Sequence, residues 1–408
     1  MEEKKRKILF VDDEPNVLRG LRRMLYSMRN KWDVDFATSG HNALEIMEEA
    51  PFDVIVTDMR MPEMDGAQLL DKVIELYPST IRFVLSGQSQ EEVIFRSVGP
   101  AHQFLSKPCD AETIKKTIQA SLSLRDDMSN EKIRKIVSKV KSLPSLPSIY
   151  IEVTNELKKE NSSMHSVAEI IEHDIGMSSK ILQLVNSSFF GIPNHITDIA
   201  QAASFLGIDV IRSLVLSVGT FSQFKVSPNY ENTLAGLINH SLMVGACAKE
   251  IVKMEGGEPK NEEDVFAAGL LHKIGEVIFM SYMPKEYRSI HTEMTKENMS
   301  LADAEEKELG ITYAEAGAYL LGIWGLQDVI TEAIAYQLKP SKCARKDNIA
   351  LTALHSACAL LEEIDASSEE QNATPAKIDM SYIESVGKTD KIQKWRDICL
   401  KEYEEKHP

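Results

Sequence analysis

Five short apolar runs of β character recur across the first 125 residues, and helical patterns fill the intervals between them. The runs are ILFV at 8–11, VDFA at 34–37, VIVT at 54–57, RFVL at 82–85 and QFLS at 103–106. Between the first two, Val17, Leu18, Leu21, Met24 and Leu25 fall at helical spacing. Strands alternating with amphipathic helices predict a doubly wound, five-stranded parallel sheet covered on both faces. Such sheets place their chemistry at the carboxyl ends of the strands.

Those ends are informative. Asp12 and Asp13 close the first strand, Asp58 the third, Ser86 the fourth and Lys107 the fifth. Three carboxylates at one sheet edge repel one another unless a cation sits among them. Oxygen-only ligands with open coordination positions suit Mg²⁺, which retains waters and shares its shell with phosphate. Lys107 adds a fixed positive charge and Ser86 a hydroxyl. The set suits acceptance of a phosphoryl group on a carboxylate, where catalysis is mostly positioning and charge neutralisation.

The segments VDDE, VIVTDMRMPEMDG, LSG and FLSKP, in this order over about 120 residues, resemble the receiver domains of bacterial response regulators. The resemblance implies a flavodoxin-like fold with Asp58 as phosphoacceptor. It implies direct Mg²⁺ ligation by Asp13, Asp58 and the main-chain carbonyl of Arg60, with Asp12 acting partly through water. It makes Ser86 and Lys107 the readers of the phosphoryl group, Phe104 the aromatic switch, and Lys107–Pro108 a cis peptide. Arg60 and Gln88 stand where the family tunes hydrolysis of its phosphate, and Phe104, lacking a hydroxyl, can switch only by packing.

Beyond residue 125 the pattern changes. A polar stretch leads to Ile133, Ile136, Val137 and Val140, one face of a short helix, which SLPSLPS at 142–148 stops because proline cannot continue it. That stripe is expected to pack on the following block or on a second copy of the chain, making a homodimer. From 145 to 340 the pattern is all-helical, with stripes such as Ile181, Leu182, Leu184 and Val185. A final stretch, 341–408, holds an apolar helix, a polar loop and a helix carrying Ile392, Trp395, Ile398 and Cys399. The expected division is 1–125, a linker over 126–144, 145–340, and a helical extension over 341–408.

The segments IIEHDIGMSSKILQLVNSSFFG, AASFLGIDVIRSLVLS, NHSLMVGACAKEI, GLLHKIGEVIF and GAYLLGIWGL resemble the HDOD domain, a relative of the HD metal phosphohydrolases. Such hydrolases hold their ion with a histidine, a His-Asp pair on the next helix and a later aspartate, and the ion activates water. His240 and His272 take the first two histidine positions by order and spacing, but Lys273 stands where the pair needs its aspartate. A protonated amine offers no lone pair and repels a cation. Glu276, three residues on, is rotated by about 60° and raised by roughly 4.5 Å along a helix, so it is better placed to pair with Lys273 or His272 than to ligate. Tyr313, Tyr336 and Gln337 stand where many relatives have histidines. Two readings of this degenerate pocket stand open: satisfied polar groups in a core, with Lys273 on Glu276, or an anion site in which Lys273 supplies the charge. In EHDIGMSSK, Asp174 reads as a helix N-cap rather than a ligand.

The chain of 408 residues carries a net charge of −16, which weighs against nucleic acid as a partner. No run approaches the ~20 apolar residues of a membrane span, and the N-terminal stretch does not read as a signal peptide. Five scattered cysteines read as reduced thiols in a cytoplasm. The resemblances together imply a two-component response regulator, phosphorylated on Asp58 by a sensor histidine kinase. Its HDOD block would act on a downstream protein, or through a bound ligand, without metal or chemistry of its own. The competing expectation is a receiver-gated phosphohydrolase or cyclic-di-GMP phosphodiesterase.

Overall fold

The computed structural model describes residues 5–77, 80–87, 101–107, 109–127, 147–159, 161–186, 190, 196–224, 226, 230–368 and 377–406. The linker helix expected around Ile133–Val140, and Gln88 and Pro108, lie outside them. The chain forms two compact units, Met1–Glu152 and, Gly322–Gly325 apart, Val153–Pro408.

The first unit is a five-stranded parallel sheet. Its strands are β1 (Arg6–Val11), β2 (Trp32–Ala37), β3 (Val54–Asp58), β4 (Ile81–Gly87) and β5 (Gln103–Lys107), in the order β2-β1-β3-β4-β5. Helices α1 (Pro15–Met24), α2 (Gly40–Glu49), α3 (Gly66–Leu76) and α4 (Ala111–Asp127) belong to it. Strand side chains alternate between faces. Leu9, Val11, Ile55 and Val84 join Ala43 and Met47 of α2 and Leu69, Leu70 and Val73 of α3 in one apolar cluster. Ile8, Phe10, Val54, Val56 and Phe83 are fully buried as well and belong to the opposite face. Burial on both sides is why these strands read as continuous apolar runs. The strand order reverses between β1 and β3, which opens a crevice at their carboxyl ends, where Asp12 and Asp58 stand.

The second unit is helical. Helix α5 (Ser148–Glu156) spans the boundary, and the helices that follow are α6 (Met164–Glu172), α7 (Ile175–Val185), α8 (Ile199–Leu206), α9 (Ile208–Ser222), α10 (Glu231–Met254) and α11 (Pro259–Leu271). After these come α12 (Ile274–Tyr282), α13 (Pro284–Glu297), α14 (Leu301–Glu308), α15 (Tyr313–Ile323), α16 (Asp328–Tyr336), α17 (Ile349–Ser368), α18 (Met380–Ser385) and α19 (Ile392–Lys406). Asp174 caps α7, its side chain accepting from Met177 N at 2.9 Å. Helices α10 and α11 cross through glycine: a Cβ on Gly269 would stand 2.3 Å from the Cα of Gly245. At Gly275 a Cβ would stand 1.9 Å from the carbonyl oxygen of Tyr313, so α12 and α15 meet backbone to backbone. The two crossings bracket His272 and Lys273 and fix where both side chains begin.

One correction concerns apolar length. The stretch Pro259–Tyr282 forms a continuous 24-residue run long and apolar enough to be compared with a membrane span. The sequence hid it because polar residues at its start and Lys273 within it interrupt the run. It is a core element: 89% of its most apolar window is buried inside the protein.

The extension over 341–408 packs into the helical unit rather than standing apart. Trp395, Tyr382, Ile383 and Cys399 are fully buried. Trp395 Nε1 donates to Glu255 Oε1 at 3.2 Å, Thr352 Oγ1 and the Tyr382 hydroxyl share a 2.8 Å hydrogen bond, and Asp379 N donates to His355 Nε2 at 2.8 Å.

Candidate functional site: an acidic sheet edge and a buried lysine

At the sheet edge, Lys107 closes β5 and must reach across β4 to touch β3 and β1. Strands lie about 4.8 Å apart, so only a long side chain can span the gap. Its ammonium donates to Asp12 Oδ2 at 2.7 Å and to Asp58 Oδ1 in a second ion pair. The second oxygen of each acid is held by the backbone: Glu14 N donates to Asp12 Oδ1 at 2.9 Å and Arg60 N to Asp58 Oδ2 at 2.7 Å. Asp12 is buried. Burial alone would lower the Lys107 pKa, but the hydrogen bonds to Asp12 and Asp58 outweigh it and raise the value above the ordinary lysine range. The ammonium is therefore permanently charged.

Asp13 follows Asp12 at the end of β1, so three carboxylates stand against one ammonium at strand ends and the charge remains negative. Register pairs Ser86 with Ser106, and Phe104 with Val84. The side chains of Ser86 and Phe104 lie outside the described residues. The donor chemistry fits Mg²⁺ through carboxylates and a main-chain carbonyl, with water for the rest. Among the described residues, no three His, Cys, Asp or Glu side chains gather as a metal-binding group by themselves.

In the helical unit, His240, His272, Lys273 and Glu276 do come together. His272 is fully buried; its Nδ1 donates to Gly269 O at 2.6 Å, and its Nε2 has no partner among the described residues. The His240 and His272 rings lie 5.6 Å apart. Lys273 Nζ sits 2.7 Å from Glu276 Oε1, 3.1 Å from the Tyr313 hydroxyl and 4.2 Å from the centre of the Tyr313 ring. Glu276 Oε2 accepts from the Tyr287 hydroxyl at 3.3 Å. Gln337 Nε2 donates to His272 O at 3.1 Å, and Gln337 O contacts His355 Nδ1 at 2.7 Å.

Burial and then the neighbouring ammonium push His240 down to about 3 and His272 well below the usual histidine range, so both are neutral. For Lys273, burial opposes the charge, yet Glu276 and Tyr313 overcome it and carry its pKa well above normal. A neutral imidazole can ligate a metal, but the Lys273 ammonium beside these two repels a cation, and the nearest carboxylate is already engaged by Lys273 and Tyr287.

Three contributors escaped the sequence reading. Glu305 is buried and accepts from Tyr313 N at 2.8 Å, with its pKa raised well above the carboxylate range by burial and by Glu276. Tyr287 and His291 extend the network, their rings 4.5 Å apart. The i, i+4 spacing of Tyr287 and His291 was the one available signal; Glu305, in a helix rich in acids, carried none.

The model of the response regulator receiver domain matches residues 8–119, and that of the HDOD domain matches residues 143–340. An uncharacterized protein of Treponema pallidum is 25% identical over 201 residues, covering 49% of this chain and 38% of its own. The response regulator protein PilR of Pseudomonas aeruginosa is 30% identical over 128 residues, 31% of this chain and 28% of its own. This chain thus spans well under half the length of either. A signal transduction protein of Marinobacter aquaeolei, known from its crystal structure, shares the fold at 17% identity with a TM-score of 0.55, covering 80% of this chain and 77% of that one.

The chain is a response regulator receiver domain followed by an HDOD domain. The relatives matched by its receiver domain include response regulators such as PilR.

Proposed function

We propose that the protein is a response regulator whose Asp58 accepts a phosphoryl group from a sensor histidine kinase and whose HDOD domain transmits the state by contact, without chemistry of its own. The observation that carries this reading is the Lys107 ammonium joined to both Asp12 and Asp58. A lysine so placed can leave Asp58 for a phosphoryl oxygen while remaining tied to Asp12, so a charge arriving on Asp58 changes the position of β5. Mg²⁺ would be held by Asp13, Asp58 and the Arg60 carbonyl, with Asp12 through water, and would neutralise the charge of the incoming phosphoryl group. Asp58 supplies the nucleophilic oxygen; Arg60 N fixes its carboxylate plane.

In the HDOD domain the donor set around Lys273 supports a structural pocket over a hydrolytic one. The test is direct. Acetyl phosphate with Mg²⁺ should label Asp58 alone, and Asp58→Asn or Asp13→Ala should abolish the label. Labelling that survives Asp58→Asn would overturn the assignment.

A further inference from the structure

Helix α13 turns its apolar side, Tyr287 and Ile290, into the core. Arg288, His291, Thr292, Thr295 and Lys296 follow at the three- and four-residue spacings of a single helix face. They line a shallow depression along α13, open to solvent, with about 490 Å³ of space over it. Arg288 and His291 also line an adjoining hollow of about 300 Å³, walled by Tyr230, Thr233 and Tyr287. Both are open to solvent, so a ligand here would lie along the helix rather than inside the protein.

The charge here runs against that of the chain. Glu293 and Glu297 of the same helix are held by Lys307, at 3.3 and 3.0 Å. Arg288 and Lys296 have no ion pair among the described residues, in a protein of net charge −16. The aromatic wall is ordered: Tyr230 meets Tyr287 edge to face at 5.7 Å, and Tyr287 meets His291 at 4.5 Å. Tyr287 is buried, so Tyr230 is the ring open to a ligand. The Nε2 of His291 is buried without a partner among the described residues, which leaves one polar atom unsatisfied at the seam of the two hollows.

We infer that this groove binds a small organic phosphate of the mononucleotide class, its phosphate between Arg288 and Lys296 and its planar ring against Tyr230. A guanidinium fork matches phosphate in two directions at once, the threonine hydroxyls add donors, and an aromatic ring favours a flat partner. A metal cation is repelled by the same charges. The hollow touches the buried network through Tyr287, whose hydroxyl reaches Glu276, so occupancy bears on the Lys273 pair from the far side. The inference does not depend on Asp58.

The test is calorimetric titration of the full chain with AMP, GMP, CMP, UMP, adenosine and inorganic phosphate. At least one nucleotide should bind with a Kd of about 1 mM or tighter, at least tenfold tighter than adenosine or phosphate alone. Arg288→Ala should weaken it at least tenfold. Tyr230→Ala should reduce it to the level of phosphate. Arg288 is exposed, so its replacement should keep the melting temperature. No nucleotide binding in that range, phosphate binding as tightly as any nucleotide, or affinity indifferent to Arg288→Ala would each overturn the site.

Discussion

Lys273 Nζ and Glu276 Oε1 lie 2.7 Å apart, with side chains only 10% and 5% exposed. A buried pair of this kind adds little net stability, because desolvation offsets the attraction, but breaking it strands a charge. Glu276→Gln should therefore cost about 3–5 kcal/mol of unfolding free energy, and Lys273→Met a comparable amount. The double variant Lys273→Met/Glu276→Leu should lose less than either single one. Urea titration of all four proteins gives the coupling; simple additivity would mean that the pair is not a unit.

The helical unit should also be acid-sensitive at its two pocket histidines. In the unfolded chain a histidine takes its proton near pH 6.5, whereas folded His240 does so only near 3 and His272 well below the usual value. Between those limits the unfolded state binds more protons, so stability falls as pH falls, by roughly 1.4 kcal/mol per unit for each neutral histidine. Chemical denaturation of the parent and of His240→Asn from pH 7 to pH 4 should diverge by this slope, because Glu305, raised by burial, contributes the opposite trend to both. His240→Asn should flatten it, and an unchanged slope would place His240 in water.

Close helix crossings give a third expectation. Gly269→Ala puts a methyl group where the Gly245 backbone stands, and should destabilise the protein by about 1–3 kcal/mol. Gly236→Ala, with open space around it on α10, should be neutral or slightly stabilising. Thermal melts of the two variants should move in different directions.

At the carboxyl end, Trp395→Ala should cost about 3–5 kcal/mol, since the ring is fully buried and its indole bonds Glu255. Trp395→Phe should recover most of the packing while leaving Glu255 to Lys388 alone. A melt indifferent to Trp395→Ala would mean that the extension is dispensable.

At the sheet edge, Lys107→Ala should leave Asp58 able to accept phosphate from acetyl phosphate, because the lysine does not supply the attacking oxygen. It should remove the coupling of that event to β5. Hydrogen exchange over Gln103–Lys107 should change on phosphorylation in the parent protein and stay fixed in the variant.

The receiver was legible because every element agreed at once. Strands buried on both faces are apolar throughout, and charged residues follow directly where each run stops, so the meeting of Asp12, Asp58 and Lys107 could be named from position. The pairing of Lys273 with Glu276 was legible for a similar reason, being local in the chain. Glu305 was not: it reaches the pocket only because α14 packs beside α13, and nothing within its own helix marks it. The packing of Trp395 was legible as an apolar stripe, but its partner Glu255 lies 140 residues away, beyond any local pattern. Ser86 and Phe104 remain positions on strands, named by motif.

The surroundings of Lys273 make positions 273 and 276 a single unit of substitution. An aspartate introduced first at 273 would face Glu276 with no cation between them and Glu305 close behind. Removing Glu276 first would leave a buried ammonium with only the hydroxyl and ring of Tyr313. Either single step strands a buried charge, so a change at one position is tolerated only beside a matching change at the other.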